Sequence, residues 1–318
     1  MKGLNVRVLV CVIGLLPASI GTAGELGGIG VLGDSYSDEY QFYSPDRATA
    51  RNWVEILAEV RGFDFGRFST VNRGEPLNQG YAYNWARSDA TTTDLIRSGQ
   101  HTGLAQQVAS GKVNWVVIFI GGNDFIHALE SADPASELSR VLPEALSNYR
   151  KALGTILQAS PNVRVVSVTI PDIRHLPLLR ASAEQRQLPQ SLLDQYGEAL
   201  AVYNSQIRNL ALNSTRVAVA DFDAADRFSS RLSRTKTVIG GHRLDRLGMG
   251  NSVEHLFLAD GRHLGTIGQG FMAQLIVNAI ASRFHEPIPL LTNQEIDEFA
   301  QSLEKTRESL VNLEKRSE

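Results

Sequence analysis

Three short blocks of this chain carry side chains that could do covalent chemistry together. The first is Gly33-Asp34-Ser35-Tyr36-Ser37-Asp38, which directly follows the apolar run Ile29–Leu32. A serine at the carboxyl end of a strand, on a turn opening towards a helix, stands where open α/β sheets bind their ligands. The N–H groups of such a turn also point outward, ready for an anion. The second block, Gly121-Gly122-Asn123-Asp124, follows the run Val113–Ile120. Its glycines let backbone come close to a ligand, and Asn123 supplies a neutral amide donor of the kind that stabilises an oxyanion. The third is Asp260-Gly261-Arg262-His263. A carboxylate three residues before an imidazole can accept from Nδ1–H and fix the tautomer, which leaves Nε2 free to take a proton from a serine. Serine needs that base, because its own hydroxyl is a weak nucleophile.

Taken singly, each block is ordinary turn composition. The Asp-x-x-His interval also recurs at Asp124/His127 and Asp172/His175, both after expected strands, so spacing alone leaves three candidate bases. His101, His242, His255 and His285 read as surface or structural histidines. No histidine stands in a His-Glu-x-x-His arrangement, the spacing that would mark a metalloprotease-type zinc site. Cys11 is the only cysteine, which removes disulfide scaffolds and thiolate metal sites. No metal and no cofactor is expected.

The elements that must position these blocks are legible in the apolar pattern. Runs at Ile29–Leu32, Val113–Ile120, Val163–Ile170 and Thr215–Phe222 read as strands, the longer ones continuous enough to be buried on both faces. Arg47–Arg61, Leu138–Gln158 and Ser191–Leu212 carry apolar residues at helical spacing. Strand, long helix, strand implies parallel pairing with helical crossovers. The expected fold is therefore a three-layer α/β/α sandwich with a doubly wound, mostly parallel sheet. Arg227–Leu258 departs from the rhythm, with scattered glycines and basic residues, and reads as an excursion forming part of a rim. The stripe Ile296, Phe299, Leu303, Leu310 and Leu313 reads as an amphipathic helix over 291–318, expected to pack on its own domain rather than to seed a coiled coil.

The chain has 318 residues, 31 basic against 34 acidic, for a net charge of −3. That balance gives no electrostatic reason to expect a nucleic-acid partner. Hydrophobic residues at 43% and charged residues at 20% are enough for a large core and exclude disorder. Residues 1–23 have the layout of a secretory signal peptide: Lys2 and Arg7, an apolar run from Val8 to Ile20, then Gly21-Thr22-Ala23, with cleavage expected after Ala23. The run is short for a membrane span, which needs about 20 apolar residues, and it contains Pro17. Export to the periplasm or the medium is expected, without stable membrane insertion once the signal is removed, and with 24–290 as the main domain.

The order GDS, then GGND, then Asp-x-x-His resembles the SGNH (GDSL-type) hydrolase family from Ile29 to about Phe284. Ile170-Pro171-Asp172 and the glycine-containing start of the last helix, Leu264-Gly265-Thr266-Ile267-Gly268, agree with it. The resemblance implies a flavodoxin-like sandwich and hydrolysis of carboxylic esters. It implies Ser35 as nucleophile, His263 as general base and Asp260 orienting His263. It implies an oxyanion hole built from the Ser35 N–H, the Asn123 side chain and one further N–H. The family has glycine for that last donor, in a block like Asn-x-Ala-x-x-Gly-Ala-Thr. Here Asn84-Trp85-Ala86-Arg87-Ser88-Asp89-Ala90-Thr91 puts Asp89 at the place. Aspartate tolerates the left-handed backbone better than most residues, but its carboxylate must then be paired, with Arg87, or point away. Gly74 and Gly80 are alternative donors. Tyr36 stands where the family has leucine, and Leu264-Gly265 where proline is common. The implied substrates are small-molecule, polysaccharide or lipid esters. The same triad would serve acyl transfer to a sugar hydroxyl, and a degenerate scaffold would serve as a binding module.

Overall fold

The computed structural model describes residues 26–71, 79–232, 235–239 and 242–317. The proposed signal peptide, Cys11 and Gly74 lie outside them. The elements in chain order are β1 (Ile29–Gly33), α1 (Trp53–Arg61), β2 (Phe68–Ser69), β3 (Gly80–Tyr81), α2 (Thr92–Arg97), α3 (Gln100–Ala109), β4 (Trp115–Phe119), α4 (Gly122–Glu130), α5 (Pro134–Ala159), β5 (Arg164–Val168), α6 (Pro177–Gln185), α7 (Gln190–Leu212), β6 (Val217–Ala220), α8 (Phe222–Leu232), β7 (Lys236–Ile239), β8 (His242–Met249), β9 (His255–Phe257), α9 (Thr266–Phe284) and α10 (Asn293–Ser317).

The four expected strands form one parallel sheet in the order β1-β4-β5-β6. A single register row, Val31–Val117–Val166–Ala218, crosses it, and all four side chains are buried. Burial on both faces explains why these segments are apolar without alternation. A further parallel edge was not legible in the sequence. Val31 N–H donates to Tyr83 O, Trp85 N–H to Val31 O and Arg87 N–H to Gly33 O, so residues 83–87 run alongside β1. Nothing in Tyr83-Asn84-Trp85-Ala86-Arg87 reads as a strand, because its polar members are satisfied by side-chain bonds. Asn84 Nδ2 donates to Ser37 O, and Asn84 Oδ1 accepts from Ala86 N–H. This edge makes β1 the strand where the chain order reverses, first to residues 83–87 on one side and then to β4 on the other. Such a switch point opens a crevice at the carboxyl ends of the strands.

Helices α1 and α9 cover one face of the sheet, while α3, α5 and α7 cover the other. Helix starts follow local chemistry. Asn52 and Glu55 form a capping box on α1, as do Thr91 and Asp94 on α2. The helical stretch expected from Arg47 begins only at Trp53, after a single 3₁₀ turn at Arg47–Thr49. Gly121, before α4, has φ +120°, and a Cβ there would lie 2.6 Å from the Tyr203 hydroxyl. The sharp exit from β4 therefore requires glycine.

The excursion at 227–258 continues α8 and then makes a small sheet in which β7 pairs antiparallel with β8, and β8 parallel with β9. Helix α10 packs on α9, with Ile296 and Ala300 buried. The side chains of Leu310 and Leu313 lie outside the described set. Among the described residues, no helix is long and apolar enough to cross a membrane.

Candidate active site

Ser35 sits on a turn wound around Asp34. Ser37 and Asp38 N–H donate to Asp34 O, and Tyr36 N–H donates to Asp34 Oδ1, all at 3.0 Å. The turn is anchored from outside as well. Trp53 Nε1 of α1 donates to Ser37 Oγ at 3.0 Å, and Asn84 Nδ2 reaches Ser37 O at 2.8 Å. The Ser35 N–H meets no acceptor among the described residues.

The loop before α9 brings the other two groups. Asp260 Oδ1 accepts the Arg262 and His263 N–H groups, both at 2.9 Å, which closes a tight turn. Its second oxygen, Oδ2, lies 2.6 Å from His263 Nδ1, and His263 Nε2 lies 2.7 Å from Ser35 Oγ. The rings of Tyr36 and Tyr40 flank the imidazole at 5.8 and 5.9 Å between centroids. One continuous chain of hydrogen bonds therefore runs from a carboxylate through an imidazole to a serine hydroxyl 228 residues away in sequence. It can deprotonate Ser35 and return the proton to a leaving group.

Electrostatics agree with those roles. Burial opposes the charge on Asp260, yet the His263 ring and the two N–H donors hold its carboxyl at about 2. It stays ionised over any working pH. Burial pushes His263 below its ordinary value of 6.5, and Asp260 restores only part of the loss. A base must be neutral, and a lower pKa keeps the imidazole neutral further into acid. The acid limb of kcat/KM should therefore have its midpoint below pH 6.5. A pH profile with p-nitrophenyl acetate checks this, and a midpoint above 6.5 would contradict it.

Of the rival pairs, Asp124 and His127 separate, while His175 Nε2 stays 3.9 Å from Asp172 Oδ2. His127 Nε2 lies 3.0 Å from Asp89 Oδ1, not against Asp124. The Asp124 carboxylate is buried and takes the N–H and hydroxyl of Thr92 at 2.9 and 2.6 Å. His175 Nδ1 faces Asp226 at 3.3 Å, while Arg174 grips Asp172. No serine oxygen contacts either imidazole among the described residues. His101 is buried within α3, and His285 ends α9 in the left-handed conformation.

Asn123, at the start of α4, is buried, uses one Nδ2 hydrogen on Ala90 O at 3.1 Å, and lines the same small cavity as Ser35. Asp89 has φ +67°, the left-handed region where glycine is usual and aspartate is among the tolerated exceptions. Its side chain is 71% exposed and lies against His127 rather than Arg87. The Asp89 N–H meets no acceptor among the described residues. Gly80 is not at the site. It lies in β3, where a Cβ would meet the Glu39 carboxyl at 2.3 Å. The 84–91 loop is held to the Ser35 turn by Asp38, which accepts from the Ser88 N–H, the Ser88 hydroxyl and the Tyr43 hydroxyl. Arg47 adds a bond to Ser88 Oγ at 2.8 Å and lies 3.7 Å over the Tyr43 ring.

Two features of the mouth escaped sequence reasoning. Arg262 Nη2 reaches Glu130 Oε1, at the end of α4, at 3.0 Å, and Tyr36 OH donates to Arg262 O at 2.8 Å. Only a residue sandwiched between Gly261 and His263 could have hinted at this, and its partners are distant in sequence. Among the described residues, no group of three or more His, Cys, Asp or Glu side chains could hold a metal ion.

The model of the GDSL-like lipase/acylhydrolase family matches residues 29–276, which span all three blocks and most of the chain. The chain belongs to the GDSL-like lipase/acylhydrolase family. As a member it is a hydrolase acting on ester bonds, and its three-layer α/β/α architecture is that of the GDSL fold. Among solved structures, it is similar to a lipase from a goat rumen metagenome at 15% identity, covering 80% of this chain and 97% of that one, with a TM-score of 0.49. It is similar to a family 3 carbohydrate esterase from Talaromyces cellulolyticus at 16% identity, covering 82% and 99%, with a TM-score of 0.46. It is also similar to a phospholipase A1 from Streptomyces albidoflavus at 18% identity, covering 77% and 98%, with a TM-score of 0.43. No curated protein matches the chain in sequence.

Proposed function

We propose that the chain is an exported serine esterase that cleaves carboxylic esters of small molecules, carbohydrates or lipids through an acyl-enzyme. The observation that carries the reading is the 2.7 Å and 2.6 Å pair of contacts joining Ser35, His263 and Asp260. In the first half-reaction, Ser35 Oγ attacks the ester carbonyl carbon as His263 Nε2 takes its proton. Negative charge develops on the carbonyl oxygen, where the Ser35 N–H, the Asp89 N–H and the free Asn123 hydrogen are available as donors. The imidazolium, stabilised by Asp260, then protonates the departing alcohol, and the acyl group stays on Ser35. In the second half, water adds to the acyl-enzyme with His263 again as base, and the carboxylic acid leaves. Export rests on the layout of residues 1–23.

The test is covalent. A fluorophosphonate should abolish hydrolysis of p-nitrophenyl acetate and leave one phosphonyl group, found by peptide mass spectrometry on the Ser35 peptide. Hydrolysis that survives complete labelling, or an adduct elsewhere, would remove Ser35 from its proposed role.

A further inference from the structure

Two cavities meet at Tyr36. One is a slot of about 30 Å³ lined by Ser35 and Asn123 and closed by apolar residues that include Phe119, Ile126 and Ile170. It has room for a methyl-sized group beyond the reacting carbonyl. The other is a cavity of about 650 Å³ between α8, the β7–β9 sheet and α9. Its walls are mainly apolar, with Phe222, Leu256, Phe257, Leu264 and Phe271 among them. Several of its charged groups are paired: Arg246 Nη2 lies 2.8 Å from Asp226 Oδ1, His175 faces the second oxygen of Asp226, and Arg174 holds Asp172, while Lys236 and Arg243 also line the wall. A volume of this size with mainly apolar walls suits an aliphatic chain. Among the described residues, only Tyr36, Pro171 and Leu176 line both spaces.

Tyr36 is the part of that partition with a long side chain, and it is held at both ends. Its ring packs edge-on against Phe119 of β4 at 5.7 Å, and its hydroxyl is tied to Arg262 O at 2.8 Å. It also adjoins Ser35 in sequence, so its position is set by the same turn that sets the nucleophile.

We propose that Tyr36 is a specificity-determining residue, a wall that confines the acyl group of the substrate to the small slot and keeps aliphatic chains out of the adjoining cavity. The inference rests on the serine-esterase reading above and deepens it: the preferred substrates are acetyl and other very short acyl esters. Shortening Tyr36 joins the two spaces and admits a long chain.

The experiment compares kcat/KM for p-nitrophenyl acetate and p-nitrophenyl decanoate in the parent, Tyr36→Leu and Tyr36→Phe. The ratio of the two substrates is the readout, because any disturbance of His263 by its ring neighbour affects both alike. The parent should favour acetate. Tyr36→Leu should raise the decanoate-to-acetate ratio by at least about tenfold, the discrimination expected when apolar methylenes gain a pocket. Tyr36→Phe retains the ring and should leave the ratio within about threefold. An unchanged ratio in Tyr36→Leu, or a parent that already prefers decanoate, overturns the proposal. A second readout does not depend on turnover. Crystals of the parent and of Tyr36→Leu, soaked with decanoate, should show the chain passing from the slot into the large cavity in the variant only. A chain in that cavity of the parent defeats the wall. Failure of the esterase reading is distinguishable, since it appears as no hydrolysis of either ester in any of the three proteins.

Discussion

Replacing Ser35 with alanine is expected to lower kcat/KM for p-nitrophenyl acetate by about 10³-fold or more, and His263→Ala by a similar factor. The size follows from what each removal leaves behind. Without Ser35 Oγ there is no atom to carry the acyl group. Without His263, the hydroxyl, 2.7 Å from where Nε2 was, has no acceptor for its proton. The two groups perform one step, so the double variant should be hardly worse than either single one. His127→Ala and His175→Ala bear on the same point. His127 lies on Asp89 and His175 between Asp226 and Asp172, neither against a serine hydroxyl among the described residues, and their loss should change the rate by less than about threefold. Steady-state rates on folded variants, checked by circular dichroism, decide the matter. A loss in His127→Ala or His175→Ala matching that in His263→Ala would mean the wrong base has been identified.

The second large effect is at Asn123. Asn123→Ala should cost about 10² to 10³ in kcat with much less change in KM, the range seen when one donor to an oxyanion is removed. The asymmetry between the two constants is the informative part. The carbonyl of the bound ester carries little charge, and the donor gains its value only as the tetrahedral oxyanion forms. Asn123 has a second duty, since its other hydrogen holds Ala90 O at 3.1 Å, next to the Asp89 N–H. Its removal therefore weakens one donor directly and loosens a second. Asn123→Asp keeps the shape but replaces the donor with an acceptor carrying negative charge, and should be at least as damaging as alanine. A rise in KM with kcat unchanged would assign Asn123 to substrate binding alone.

How much of this could be read in advance depended on the range of each interaction. The four strands of the main sheet were legible because burial on both faces demands apolar runs, and the sheet ladders retain them within one to two residues at each end. Ser35, Asn123, Asp260 and His263 were legible as candidates only through the order of their three blocks along the chain, since each block singly is ordinary turn composition. The edge at residues 83–87 was not, because Asn84 is satisfied by Ser37 O of the Ser35 turn and Trp85 by Gln107 of α3, partners no local pattern reveals. The same limit applies to Asp89. Its backbone angle could be anticipated from residue type, but its contact with His127 could not, as Arg87 was nearer in sequence and His127 nearer in space. Residues 236–257 hid a small sheet because its strands mix charged with apolar residues, as in His242-Arg243-Leu244-Asp245-Arg246-Leu247, and show no continuous apolar run.

The C-terminal helix has a mechanical role that its distance from Ser35 conceals. Glu304 accepts the Val253 N–H, and Arg307 donates to Asn251 O. Asn251 in turn holds the Ala259 N–H through Oδ1 and Asp46 through Nδ2. Ala259 immediately precedes Asp260. The loop that presents the imidazole is thus braced from behind by the last helix, like a bracket behind a hinge plate. A chain ending at residue 290 would retain every reacting atom and lose the part that steadies them.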